Sequence, residues 1–142
     1  MYVKKIIEYV YNYAEYIVSD GNNELKCVCM SVPLPDGRAP KNGMKITKIF
    51  AFSTNNVSIK KITDKKKMKD SIVKLVFSSL GYRLRGRVCD VDNSTIEIFG
   101  FKISLQDDFP DGLGKKIKNG DFVQFSVDRL DCMLENDFPK AK

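Results

Sequence analysis

Apolar positions in the first eighteen residues, MYVKKIIEYVYNYAEYIV, recur at three- and four-residue spacing. Val3, Ile6, Ile7, Val10 and Ala14 fall on one stripe, and that spacing predicts an amphipathic helix over residues 3–14. The same spacing returns at Met68, Ile72, Val73, Val76, Phe77 and Leu80 and predicts a second helix over 67–80, stopping near Gly81. After each helical stretch the pattern changes to alternation. YAEYIVSD, the turn GNNE and LKCVCMSV read as one hairpin; YRLRGRVCDV, the turn DNS and TIEIFGFKISL read as another.

Beyond each hairpin the chain repeats its punctuation. Residues 34–43 read LPDGRAPKNG and residues 109–120 read FPDGLGKKIKNG. Each copy runs into a strand-like segment, MKITKIFAF after the first and DFVQFSV after the second. Asn42-Gly43 and Asn119-Gly120 supply the positive φ that a tight turn before a strand needs. The shared order predicts two related units, 1–64 and 65–142, joined around KKITDKKKMKD at 60–70. Short strands punctuated by Gly and Asn turns predict a mainly β chain built as two tandem small β-barrels, each preceded by a short helix.

Charge changes this picture little. The 142 residues carry a net charge of +6, split as +3 in 1–64 and +3 in 65–142, so a basic tail is excluded and a modest basic face remains. The chain contains no histidine, which removes the commonest general base and the Ser-His and Cys-His nucleophile pairs. No Walker, GxSxG or GxGxxG pattern occurs. A non-catalytic protein with no cofactor and no small-molecule substrate is therefore expected. Cys27 and Cys29 sit two apart, on one face of a strand, while Cys89 and Cys132 are isolated. Without histidine partners they read as reduced structural thiols, with no metal site. No apolar run of membrane-spanning length exists, and the interrupted N-terminal segment makes a poor signal peptide, so a cytoplasmic or nuclear protein without membrane contact is expected.

Binding is carried by a short list of residues. In Arg83-Leu84-Arg85-Gly86-Arg87-Val88, strand periodicity puts Arg83, Arg85 and Arg87 on one face and Leu84 and Val88 on the other. Such a row can follow a phosphate backbone; equally, it can be a solvated sheet face paired with an acid such as Glu97. Phe99 shares the parity of Glu97, and Phe122 opposes Val123, so both rings are candidates for stacking beside the arginines. Lys65, Lys66 and Lys67 could add phosphate contacts or be only a solvated linker. Tyr11, Tyr13 and Tyr16 are the candidates for a protein interface.

SVPLPDGRAPKNGMKITKIFAF and FKISLQDDFPDGLGKKIKNGDFVQFSV resemble the small OB-like or cold-shock-like modules of Armitage-type piRNA-pathway RNA helicases, and those of cancer/testis antigen 55. IVKLVFSSLGYRLRGRV is similar to the lead-in of the first such module. Met44 stands where the second copy has Asp121, and no helicase core follows within the 142 residues. The resemblance implies tandem OB-like barrels and an accessory role in RNA-silencing machinery of the transposon-control type, binding single-stranded RNA or a protein partner of that complex. The alternative is a protein-interaction scaffold without nucleic-acid affinity.

Overall fold

The computed structural model describes residues 1–30, 37–52, 59–76, 80–105 and 117–135. Among these the protein is mainly β, and no α-helix occurs. Two compact units are distinguished, Met1–Ile49 with Asp131–Lys142, and Phe50–Leu130. The boundary read from the sequence at 64/65 falls inside the second of them. Most of both Pro-Asp-Gly segments lies outside the described residues; Gly37 is described, with φ +83°.

In the first unit β1 (Tyr2–Val10), β2 (Tyr13–Ser19) and β3 (Glu24–Cys29) form an antiparallel meander. The turn between β2 and β3 is held by Asp20, whose Oδ1 accepts the backbone N–H groups of Asn22 and Asn23 at 2.8 and 2.6 Å. β11 (Arg129–Leu134) runs parallel to β3 through Asp131 and Val28, and β4 (Ile46–Phe52) follows β11 in the strand order. Val3, Tyr16, Leu25, Cys27, Ile49 and Leu134 are among the buried side chains of this unit. Cys27, Cys29 and Cys132 are buried, and Cys89 is exposed.

The helix expected over 3–14 is instead β1, a turn at Tyr11-Asn12 and the start of β2. Two register shifts account for the difference. They fall between Val3 and Lys5 and between Ile6 and Glu8, so Lys4 and Ile7 are extra residues in β1. Val3, Ile6 and Tyr9 then oppose Val18, Tyr16 and Ala14, the buried side of β2. Bulges three residues apart convert a period of two into a period of three, which resembles helical spacing. Ile7 and Val10, counted on the helical stripe, are 44% and 51% exposed. The run of Val, Ile and Tyr already favours a strand by propensity.

The second unit orders its strands β4, β9, β8, β7, β10, β5, with β6 also paired to β7. Their ranges are β5 Ile59–Lys61, β6 Ser71–Lys74, β7 Tyr82–Asp90, β8 Thr95–Ile98, β9 Phe101–Leu105 and β10 Phe122–Val127. Leu84, Val88, Ile96, Phe101, Val123 and Phe125 are buried here. The helix expected over 67–80 is also replaced. A 3-10 turn at Lys65–Lys67, capped by the Asp64 side chain, leads to β6, and residues 77–79 lie outside the described residues. Ile72 and Val73 are β-branched, and pairing with Leu84 and Arg83 of β7 satisfies a strand better than a helix. Val76 is 91% exposed, so the supposed stripe buries nothing at that position. The segment TIEIFGFKISL also differs from a single strand. It turns at Phe99-Gly100, with Ile98 opposite Phe101, and so becomes the β8–β9 hairpin.

Candidate nucleic-acid interface

The alternation of YRLRGRVCD fixes the site. Leu84 and Val88 are buried, Arg83 and Arg87 are exposed, and Arg85 is half-buried. The arginines thus form one row along the outward face of β7. On one flank, β10 sets Ser126 opposite Arg83, Gln124 opposite Arg85 and Phe122 opposite Arg87. On the other, β6 sets Val73 opposite Arg83 and Ser71 opposite Arg85, and β8 sets Glu97 opposite Arg87.

Gly86 explains how two strands share that second flank. A Cβ there would meet the Glu97 carbonyl oxygen at 2.4 Å and the Ile98 side chain at 2.5 Å. Only glycine admits β8 so close at the point where it gives way to β6.

The three arginines have different neighbours. The Arg87 guanidinium lies 5.0 Å from the centroid of the Phe122 ring, within cation–π range. Arg85 donates through Nη2 to Gln124 Oε1 at 2.7 Å and through Nη1 to the Lys67 carbonyl at 3.3 Å. Its Nε is buried and has no hydrogen-bond partner among the described residues. Through Arg85 the exposed Lys65–Lys67 turn is docked beside the row. Lys60, opposite Gln124 on β5, and Lys102, opposite Glu97 on β9, add cations to the same sheet region. Glu97 is the carboxylate paired across from Arg87, yet no ion pair joins the two among the described residues. Asp121 is engaged by Lys61 at 3.3 Å.

Phe99 is displaced from its expected place. It sits in the β8–β9 turn at φ +51°, 39% exposed, and its N–H donates to Asp70 Oδ2 at 2.7 Å. Phe122 is half-buried next to fully buried Val123. Cys89 continues the outward alternation, but burial first and the Glu97 charge second push its thiol up from the ordinary cysteine range. A protonated thiol is a poor nucleophile at neutral pH. Among the described residues, no three His, Cys, Asp or Glu side chains gather where they could hold a metal ion.

The tyrosine candidates separate. Tyr11 is 77% exposed in the β1–β2 turn. Tyr13 is half-buried and donates to Glu15 Oε1 at 2.5 Å. Tyr16 is fully buried in the first unit, so it is not a surface residue. Ile7, Tyr9 and Val10 near the same turn are exposed as well, at positions that the bulges of β1 hide from periodicity. Gln124, Asp70 and Gly86 also went unread. Each acts through a partner on another strand, and only the glycine between two arginines offered a local signal.

No protein-family model, curated protein or solved structure matches the chain. No helix of the described residues is long and apolar enough to cross a membrane.

Proposed function

We propose that the outward face of β7 binds single-stranded RNA. Arg83, Arg85 and Arg87 contact phosphates, with Phe122 and Phe99 on either flank. The observation that carries the reading is the unbroken arginine row, with an aromatic ring within cation–π distance of one end. In this reading each unit is a small OB-like or cold-shock-like barrel, and the sheet face of the second receives the ligand. The protein is then a non-catalytic, cofactor-free accessory module of RNA-silencing machinery, acting in the cytoplasm or nucleus. That last assignment rests on the resemblance of the repeated Pro-Asp-Gly and Lys-Asn-Gly segments.

The experiment uses Arg83→Gln with Arg87→Gln, because Arg85 has hydrogen bonds whose loss would disturb the fold. Each phosphate contact on a single strand contributes about 0.7 to the slope of log affinity against log salt. The double variant should flatten the slope by about 1.4 while its melting temperature stays near wild type, since exposed charges contribute little to stability. Wild-type protein that binds no RNA at low salt removes the reading.

A second reading is favoured by exposed Ile7, Tyr9, Val10 and Tyr11 of the first unit. Exposed apolar side chains at one end of a hairpin suit a protein partner, and the chain would then be a scaffold. Pull-down with and without nuclease separates the two: partners that survive nuclease support the scaffold.

A further inference from the structure

We propose that Phe99 makes the arginine face select unpaired over base-paired nucleic acid, an inference that rests on the RNA-binding reading above. Phenylalanine is an unfavourable choice for its backbone position. The chain crosses from Ile98 to Phe101 through two residues, and Phe99 holds φ +51° in that turn. Asn, Asp and Gly are the residues that tolerate positive φ in two-residue hairpins; for a bulky aromatic it is an outlier. The β1–β2 turn of the same length uses Asn12 at φ +66°.

Packing explains the phenylalanine only in part. Ile98 and Phe101 on both sides are fully buried, whereas the Phe99 side chain remains 39% exposed. Even so, the turn is firmly held. Asp70 accepts the Phe99 N–H at 2.7 Å, and the absent side chain of Gly86 lets the adjoining Glu97 and Ile98 approach β7. Strain that the surroundings maintain, around an exposed ring, points to use of that ring.

Its place names the use. Glu97, two residues earlier, opposes Arg87, and Ser71, next to Asp70, opposes Arg85. Phe99 therefore stands beside the arginine row, on the flank opposite Phe122. A duplex offers the row its phosphates but keeps its base faces stacked inside. An unpaired strand offers the same phosphates and free base faces, on which an aromatic ring stacks without sequence preference. The arginines act on both forms; Phe99 acts on the unpaired form alone.

The test compares wild type, Phe99→Asn and Phe99→Tyr, titrated with a uridine 12-mer and with a 12-base-pair RNA duplex. Phe99→Asn should weaken binding of the single strand about tenfold or more, the loss of one stacked base. It should leave duplex affinity and the salt slope unchanged and raise the melting temperature by a few degrees. Phe99→Tyr should keep single-strand binding. Equal losses on both nucleic acids, no loss on the single strand, or a lower melting temperature for Phe99→Asn would overturn the inference while wild-type binding stands. Wild-type protein silent toward both RNAs would instead remove the RNA-binding reading itself, and this inference with it.

Discussion

Lys41-Asn42-Gly43-Met44 in the first unit and Lys118-Asn119-Gly120-Asp121 in the second turn the chain in the same way. The last residue of each donates its N–H to the lysine carbonyl, at 3.3 and 3.1 Å. Each glycine, at φ +89° and +93°, donates to a valine carbonyl on the strand that opens the meander, Val3 at 2.6 Å and Val88 at 2.8 Å. Each valine returns its own N–H to the carbonyl after the glycine, at 2.8 Å in both units. Even the side chains that differ do related work: the lysine N–H reaches Met44 Sδ at 3.2 Å and Asp121 Oδ2 at 2.9 Å. One step from the corner the likeness ends. Tyr2 opposes Lys45 in the first unit, whereas Arg87 opposes Phe122 in the second. The backbone corner is common to both units, and the surface chemistry belongs to one.

The largest effect expected from breaking this comparison is at Gly86, which the corner does not require but the arginine face does. Gly86→Ala places a methyl group 2.4 Å from the Glu97 carbonyl oxygen, so backbone must move. A loss of about 3 kcal/mol is expected from such overpacking. Denaturant unfolding measures it, and a loss no greater than at Gly43 or Gly120 would show that β8 need not approach β7 so closely.

Those two glycines come next. A Cβ at either meets nothing within 4 Å, so replacement strains only the backbone. Gly43→Ala and Gly120→Ala should each cost about 1–2 kcal/mol, the left-handed penalty for an ordinary residue. Equal losses would support one shared corner. A large loss at one site and none at the other would mean that the two turns matter differently to their units.

How far the sequence could be read follows from the same corners. The repeated Lys-Asn-Gly identified a turn in each half because glycine at positive φ is a local requirement that needs no knowledge of the partner strand. The in–out alternation of Arg83 to Val88 was legible for the same reason, since β7 has no register shift before Val88. β1 defeated periodicity because its two bulges are properties of its pairing with β2. The counterpart of β7 is therefore β1: Val3, which helical spacing puts on the predicted stripe, holds the place of Val88. Phe99 was misplaced because TIEIFGFKISL has strand composition throughout, and its turn is secured by Asp70, twenty-nine positions away. The tie between Arg85 and the Lys67 carbonyl is likewise non-local, and residue spacing carries no trace of it.

Exchanging the residues at the ends of the corners sharpens the comparison with a smaller effect. Asp121→Met replaces a carboxylate acceptor by a weakly accepting thioether and removes the partner of Lys61. Unfolding should report a loss of about 1 kcal/mol, the scale of one hydrogen bond. Met44→Asp in the first unit should move stability by a similar amount in the opposite direction. If both substitutions destabilise, the corners differ in more than that side chain.

The smallest effect concerns the acidic turns that the two units also share. Asp20 holds the β2–β3 turn, and Asp90 holds the β7–β8 turn by accepting from Asn93 N at 3.3 Å and Asn93 Nδ2 at 2.7 Å. These bonds from Asn93, side chain first and backbone second, lower the Asp90 carboxyl below its ordinary 3.8. A carboxyl whose folded value is depressed stabilises the fold above its unfolded value, and that contribution disappears as pH falls through the folded value. The Asp90 residue is half-buried but its carboxyl is reached by solvent, so the contribution is slight. Wild type should therefore melt slightly above Asp90→Asn near about pH 6, and the gap should close below about pH 3. Melting curves of both proteins across that range measure the gap. A gap that stays constant with pH would assign the difference to the shape of the turn rather than to the charge of Asp90.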